Sequence, residues 1–377
     1  MTDAPADVAF ATPKRRRFGN WQARLMASRK FQKWAAGFPL TRSLVRREGE
    51  AMFDLLAGFC HSQVLMALVK FKIPQALMDG PATVQELALA SSVPPERMEI
   101  LLRAGVALKL LKHKRAGRFG VSRTGAALVG VPGLVQMIDH HDVLYRDLSD
   151  PVAFFRGEVE TELADFWPYV FGGDMDPAIA TTYSDLMADS QVLVAEDTLR
   201  AISLKGVHKL MDVGGGSGAF LKAVGQAYKN IDLTLFDLPE VAPAATHRFA
   251  NAGLESRLTV QSGSFKTQAV PLGADAISLI RVLYDHSDET VADLLSKCFN
   301  SLPSGGRLII SEPMLGDTKP ERAGDVYFAL YTLAMRTGKA RSAANIGEMC
   351  RTAGFSQVTF PKASRPFVTR CIDVRKV

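Results

Sequence analysis

The chain has 377 residues, long enough for two domains with separate cores, and its 47% hydrophobic and 22% charged content is that of an ordinary globular protein. The formal charge of +6 is uneven: residues 1–50 hold 11 Lys/Arg against 4 Asp/Glu while the rest is nearly neutral, so the basic character belongs to an N-terminal arm and gives no argument for a nucleic-acid partner. No apolar run approaches the roughly 20 residues that span a bilayer, no signal-peptide core is present, and the scattered Cys60, Cys298, Cys350 and Cys371 read as free thiols of a cytoplasmic protein.

Residues 1–20, with the block Lys14-Arg-Arg-Arg17, are a poor core former and read as disordered. Residues 21–47 mix cations with Trp21, Leu25, Met26, Phe31, Trp34, Phe38 and Leu40. Two readings stand. Residues 14–47 rest on an anionic membrane surface as a peripheral contact, or the aromatics pack on the body or on a second subunit. Phe31, Trp34 and Phe38 keep a helical spacing, but Trp21 and Leu25 fall on a different face of one continuous helix, which favours the second reading.

Residues 48–130 read as a winged-helix-like dimerisation domain. Thr83 and Glu86 form a capping-box pattern, a second helix starts near Pro95, and Leu110–Val121 read as a hairpin. The second helix carries Glu96 and Glu99 with just two arginines, a poor surface for phosphates, so dimerisation and substrate lining are expected in place of DNA binding. Residues 131–205 read as a helical pocket and linker region rich in Phe154, Phe155, Phe166, Trp167, Tyr169, Phe171 and Met187. His140, His141, Phe166, Trp167, Met187 and, further on, Met335 are the candidate pocket residues. Adjacent histidines on a helix point about 100° apart, so no metal is expected there.

From residue 206 to 377 the rhythm is that of an α/β doubly wound, Rossmann-like sheet, with strands expected at 208–213, 232–237, 257–261, 275–283, 306–312, 356–360 and 367–375. Leu210-Met-Asp-Val-Gly-Gly-Gly-Ser-Gly218 places a glycine turn between a strand and a helix, and Asp237 ends the next strand at a spacing that suits ribose hydroxyls. The turn also fits the dinucleotide pattern. Asp212, at the strand end, tolerates a ligand with an ammonium and a sulfonium better than a pyrophosphate, and so favours S-adenosylmethionine over NAD.

The ordered series Asp212–Gly218, Phe236-Asp-Leu-Pro239, Gly263-Ser-Phe265, Arg281–Glu289, Ile310-Ser-Glu-Pro313 and Gly338-Lys-Ala-Arg341 resembles the plant-type S-adenosylmethionine-dependent O-methyltransferases, including the caffeic acid enzymes. The resemblance covers about residues 50–377 and implies an N-terminal winged-helix dimerisation domain, a homodimer and a catalytic domain binding S-adenosyl-L-methionine. It implies cofactor contacts at Asp212, Gly214, Gly216, Asp237, Leu238, Ser264, Phe265 and Arg281, with Ser264 replacing the family's aspartate and Arg281 its lysine. Tyr284-Asp285-His286 stands where the family reads His-Asp-Trp, so Tyr284 occupies the position of the catalytic histidine. Of the two glutamates that orient that histidine, one matches Glu312 and the other falls at Ala340.

Trp34–Arg42, Phe53–Phe59, His140–Tyr145, Asp147–Val152 and Phe166-Trp-Pro-Tyr169 are similar to the bacterial carotenoid branch, the demethylspheroidene (hydroxyneurosporene) O-methyltransferases of purple phototrophs. That resemblance implies methylation of a tertiary hydroxyl on an acyclic carotenoid. Tyr284 accepts or orients its proton, and Asp285 or His286 assists. The alternatives are a bacteriochlorophyllide C-methyltransferase and a methyltransferase-like dimer with a regulatory or scaffold role.

Overall fold

The structure is a computed structural model that describes residues 20–166 and 190–377. Lys14–Arg17, Trp167, Tyr169, Phe171 and Met187 lie outside the described residues, as does the side chain of Phe166. The chain divides into two compact units, one ending at Ala67 and the other running from Leu68 to Val377.

In the first unit the arm is two helices, not one. Trp21–Met26 closes with Ala27 N–H on Ala23 C=O (2.9 Å), and extended Ser28 starts Arg29–Gly37. The break removes the face conflict, because Trp21 and Leu25 sit on one helix and Phe31 and Trp34 on the other. Trp34 stacks on Phe38 with ring centroids 5.0 Å apart and 16° between planes, yet stays 54% exposed. A third helix, Arg42–Lys70, begins in this unit and ends in the next. It leaves Met52, Leu55, Leu56 and Phe59 exposed at i, i+3, i+4 and i+7. By length and composition alone it is long and apolar enough to cross a membrane. The expectation that no segment approached this is therefore corrected: Asp54, His61, Ser62 and Gln63 interrupt the run without making its average polar.

In the second unit the short helix Ile73–Ala76 is followed by helices Val84–Ser91 and Pro95–Ala107. The Thr83 hydroxyl accepts from Glu86 N–H (3.2 Å) and the Glu86 carboxylate accepts from Thr83 N–H (2.6 Å), so the capping box forms as its spacing predicts. Strands β1 (Leu111–His113) and β2 (Phe119–Val121) pair antiparallel as the expected hairpin. Helix Leu134–Asp147 follows, and its last residue is put to use: buried Asp147 accepts from the N–H groups of Glu162 (2.7 Å) and Leu163 (3.1 Å), starting helix Glu162–Phe166.

All seven strands expected in the C-terminal region form. They are β3 (Lys209–Val213), β4 (Asp232–Asp237), β5 (Leu258–Ser262), β6 (Ala276–Ile280), β7 (Arg307–Glu312), β8 (Gln357–Thr359) and β9 (Arg370–Arg375), in the order β5-β4-β3-β6-β7-β9-β8. The sheet is parallel except for β9, which runs against both neighbours. Its two faces are covered separately. Met211, Val213, Ile277 and Leu279 pack with helices Asp288–Ser301 and Ala343–Thr352, whereas Leu210, Ala276 and Ile280 pack with helices Ala219–Ala227 and Ala242–Ala250. Burial on both faces explains the near-continuous apolar runs. The chain order reverses between β3 and β6, which opens a crevice beyond their carboxyl ends.

The antiparallel strand is tied to its neighbour by a charge pair. Arg307 of β7, 7% exposed, donates through Nε and Nη2 to the two carboxylate oxygens of Asp373 on β9, both at 2.7 Å. Asp373→Ala would strand a buried guanidinium and should cost about 3–5 kcal/mol in urea denaturation; a loss under about 1 kcal/mol would mean that water reaches Arg307.

Candidate active site

The glycine turn at the end of β3 is shaped by what lies behind it. Gly214 has φ +69°, and a Cβ there would approach Val282 Cγ2 to 3.1 Å. At Gly215 a Cβ would lie 2.4 Å from an Asp212 carboxylate oxygen. Asp212 therefore sits beneath the turn, fully buried, and not beside a ligand as its sequence position suggested. One of its oxygens accepts from Ser278 Oγ on β6 at 2.5 Å, and the other has no hydrogen-bond partner. Burial pushes this carboxyl up to about 7, opposed by the Ser278 bond and helped by the Asp237 charge. Any influence on a bound cation acts through the turn and not by contact.

Asp237, at the end of β4, faces the crevice. Its two oxygens accept from Gly216 N–H and Leu238 N–H, each at 2.7 Å, which fixes the carboxylate and leaves further lone pairs on both oxygens. The Phe265 ring lies 3.7 Å from the position a Gly214 Cβ would take and meets His286 edge-on at 5.3 Å. Ser264 turns its N–H to Gln268 Oε1 (3.2 Å). A fixed carboxylate for ribose hydroxyls, an aromatic ring for a base and a turn without side chains fit an adenosyl cofactor such as S-adenosylmethionine.

The segment after β6 is the opposite wall. Arg281 takes the left-handed conformation (φ +57°), which costs a non-glycine residue about 1–2 kcal/mol. The strain is held by buried groups on either side. One oxygen of Glu312, at the end of β7, accepts from Val282 N–H and Leu283 N–H, both at 2.8 Å. Arg341, 3% exposed, donates to the carbonyls of Leu283 and His286 (2.9 Å each) and through Nε to Asp288 (2.8 Å). Burial pushes Glu312 up to about 8 against the pull of those two N–H groups.

Tyr284, Asp285 and His286 all lie on this turn and are buried. The Tyr284 hydroxyl accepts from Arg281 Nη2 at 3.4 Å. Burial holds its phenol well above the ordinary range, with Arg281 opposing, so it is neutral near pH 7 and suited to orienting a hydroxyl. Burial lowers His286 to about 4, with Lys266 and Arg341 adding to the effect. Ala340, where the resemblance places a glutamate, is buried and turns its N–H to Thr332 Oγ1 (3.3 Å).

The two histidines of helix Leu134–Asp147 are each paired. His140 Nε2 lies 3.0 Å from the Tyr331 hydroxyl and His141 Nε2 lies 2.7 Å from that of Tyr327. Met335 packs with Tyr331, Leu144 and Phe154, while Phe155 is exposed. Ser278, Tyr327, Tyr331 and Arg341 escaped the sequence reading as individual residues. Arg341 was visible as the end of a motif; Tyr327 and Tyr331 offered only their four-residue spacing.

Residues 145–356 match the O-methyltransferase domain family and residues 53–130 match the O-methyltransferase dimerisation domain. The chain is 55% identical to the demethylspheroidene O-methyltransferase of Cereibacter sphaeroides over 93% of both chains. It is 47% identical to that of Rhodobacter capsulatus over 95% of this chain and 90% of the relative. The crystal structure of human N-acetylserotonin methyltransferase in complex with S-adenosylmethionine superposes with a TM-score of 0.72 at 24% identity, covering 87% of this chain and 97% of the other.

Burial raises the carboxyls of Glu312, Asp212 and Asp237, and this makes stability depend on pH. Glu312 and Asp212 bind protons more tightly folded than unfolded, so their contribution is complete below the ordinary values of 4.5 and 3.8 and is lost as pH rises through about 8 and about 7. His140 and His286, lowered to about 4, act oppositely, and their contribution is complete above their ordinary value of 6.5. Between pH 6.5 and 8 stability should therefore fall, by up to about 1.4 kcal/mol per pH unit for each carboxyl still protonated. Glu312→Gln, which keeps an acceptor for both N–H groups, should flatten that slope in urea titrations. An unchanged slope would place the titration elsewhere.

Proposed function

This chain belongs to the S-adenosylmethionine-dependent O-methyltransferases, and we propose that its acceptor is the tertiary hydroxyl of an acyclic carotenoid of the demethylspheroidene type. The observation that carries the reading is identity of 55% and 47% to two enzymes so named, extending over nearly the whole chain. We assign dimerisation to residues 48–130, the acceptor pocket to 131–205 and the catalytic domain to 206–377. The exposed Met52–Phe59 face begins where the matched dimerisation domain begins, in keeping with a homodimer.

When bound, S-adenosylmethionine supplies a methyl group on a positively charged sulfur, which keeps the bonding pair on transfer, so the acceptor's proton is what the protein must manage. Asp237, with Leu238 and Gly216 fixing it, binds the ribose. Phe265 and Ser264 border the adenine, and Gly214 lets the cofactor approach the backbone. Arg281 and Tyr284 orient the acceptor hydroxyl, and His286 and Asp285 close the site behind them. Glu312 and Arg341 hold that turn in place. Much of the acceleration then comes from keeping acceptor oxygen and methyl in line.

The arm supplies a second part of the reading, a peripheral contact with an anionic membrane through residues 14–47. Residues 8–47 hold 11 Lys/Arg and no Asp/Glu, and Trp21, Trp34 and Phe38 are exposed among them. An acceptor as apolar as a carotenoid resides in the bilayer, so such a contact brings enzyme and substrate together.

A labelled-methyl assay against demethylspheroidene and a bacteriochlorophyllide should label the carotenoid alone, as an ether by mass. Label on chlorin carbon alone would favour the C-methyl alternative. In co-sedimentation, the full chain should bind anionic vesicles at low salt and lose binding by about tenfold in high salt. Trp34→Glu with Phe38→Glu should weaken binding similarly, and equal binding by that variant would exclude the arm.

A further inference from the structure

The neutral phenol at position 284 leaves the acceptor's proton without an evident destination, and the geometry of the opposite wall offers one. Helix Ala329–Ala334 is preceded by a π-helical stretch, Arg322–Phe328, in which one extra residue per turn changes the direction of side chains. Tyr327 lies on the π-helical stretch and Tyr331 on the α-helix, with ring centroids 6.0 Å apart. Each meets one of the adjacent histidines of helix Leu134–Asp147 through Nε2. Both phenols lie within electrostatic reach of the Arg281 guanidinium, which also contacts Tyr284. Three phenols are thus gathered around one cation beyond the carboxyl end of β6.

The two pairs differ in access. His140 and Tyr331 are buried, 8% and 6% exposed, whereas His141 and Tyr327 are half-buried and share the shorter bond, 2.7 Å. We propose that Tyr327 and His141 form the proton relay for the acceptor hydroxyl, with His140 and Tyr331 as the supporting pair behind them. The proposal rests on the reading that the acceptor is an alcohol.

As the acceptor oxygen gains the methyl group, its O–H bond breaks and the proton passes to Tyr327 Oη. The proton already on Tyr327 passes to His141 Nε2. The sulfur keeps the bonding pair of the broken C–S bond, so the products are the methyl ether, a neutral thioether and an imidazolium, which later loses its proton to water. Tyr327 never becomes a free phenolate, and burial, which pushes its phenol up to about 12, favours such a concerted exchange. Burial also holds the His141 imidazole below its ordinary value, hence neutral and able to accept at pH 7. Tyr327 is here a catalytic residue, and His140 and Tyr331 are positioning residues.

The relay needs His141 Nε2 to be an unprotonated acceptor before any substrate is present. In 15N spectra of histidine-labelled full-length protein, assigned through His141→Gln, that nitrogen should read as an acceptor and shift in Tyr327→Phe. A proton on Nε2 would overturn the relay without any assay. In single turnovers with an alcohol that the wild type methylates, Tyr327→Phe and His141→Gln should each slow methyl transfer by about 100-fold, while Tyr284→Phe loses less than about tenfold. Affinity for S-adenosylmethionine by calorimetry should stay within about twofold and acceptor KM within about threefold. Transfer within about threefold of wild type in either relay variant overturns the proposal. A wild type that methylates no alcohol would refute the acceptor reading separately, and the spectra still decide the relay.

Discussion

One turn is held by a buried carboxyl on one side and a buried guanidinium on the other, and the rest of the site is arranged around it. Glu312 takes the N–H groups of Val282 and Leu283, and Arg341 gives hydrogen bonds to the carbonyls of Leu283 and His286. Backbone that leaves a strand must find partners outside the ladder, and here donors find them in the Glu312 carboxyl and acceptors in the Arg341 guanidinium. The fixed turn sustains the left-handed Arg281, presents Tyr284 to the crevice and packs His286 against Phe265. The two side chains share no hydrogen bond, so each depends on the turn between them.

Much of this fold was legible in the sequence because the signals are local. A strand buried on both faces reads as an apolar run, a glycine turn marks the crossover into a helix, and the Thr83–Glu86 capping box spans four residues. The failures were longer in range. Asp212 occupies an expected position, yet the serine that turns it inward is on another strand, 66 residues away. The partners of His140 and His141 lie 191 and 186 residues downstream, at a distance where spacing carries no information. The break at Ala27–Ser28 has neither glycine nor proline to announce it, so a single helix was the natural expectation.

The candidate site separates two tasks that many active sites combine. The β3–β4 edge is rigid, with backbone N–H groups locking Asp237 and a close-packed turn above Asp212, as suits a ligand that is always the same. The wall formed by helix Leu134–Asp147 and the Tyr327–Met335 stretch is built from rings and long side chains, whose contacts can be rearranged at small cost. Tyr284 and Ala340 lie between the two.

The π-helical stretch at Arg322–Phe328 extends that division to descent. A π turn amounts to one residue inserted into an α-helix, and it rotates everything on one side of it by about 100° relative to the other. A lineage can therefore present a new set of side chains along this wall by gaining or losing a single codon, while the strands of the sheet keep their register. Insertion length, as much as residue identity, is then a character by which acceptor preference can diverge on this scaffold.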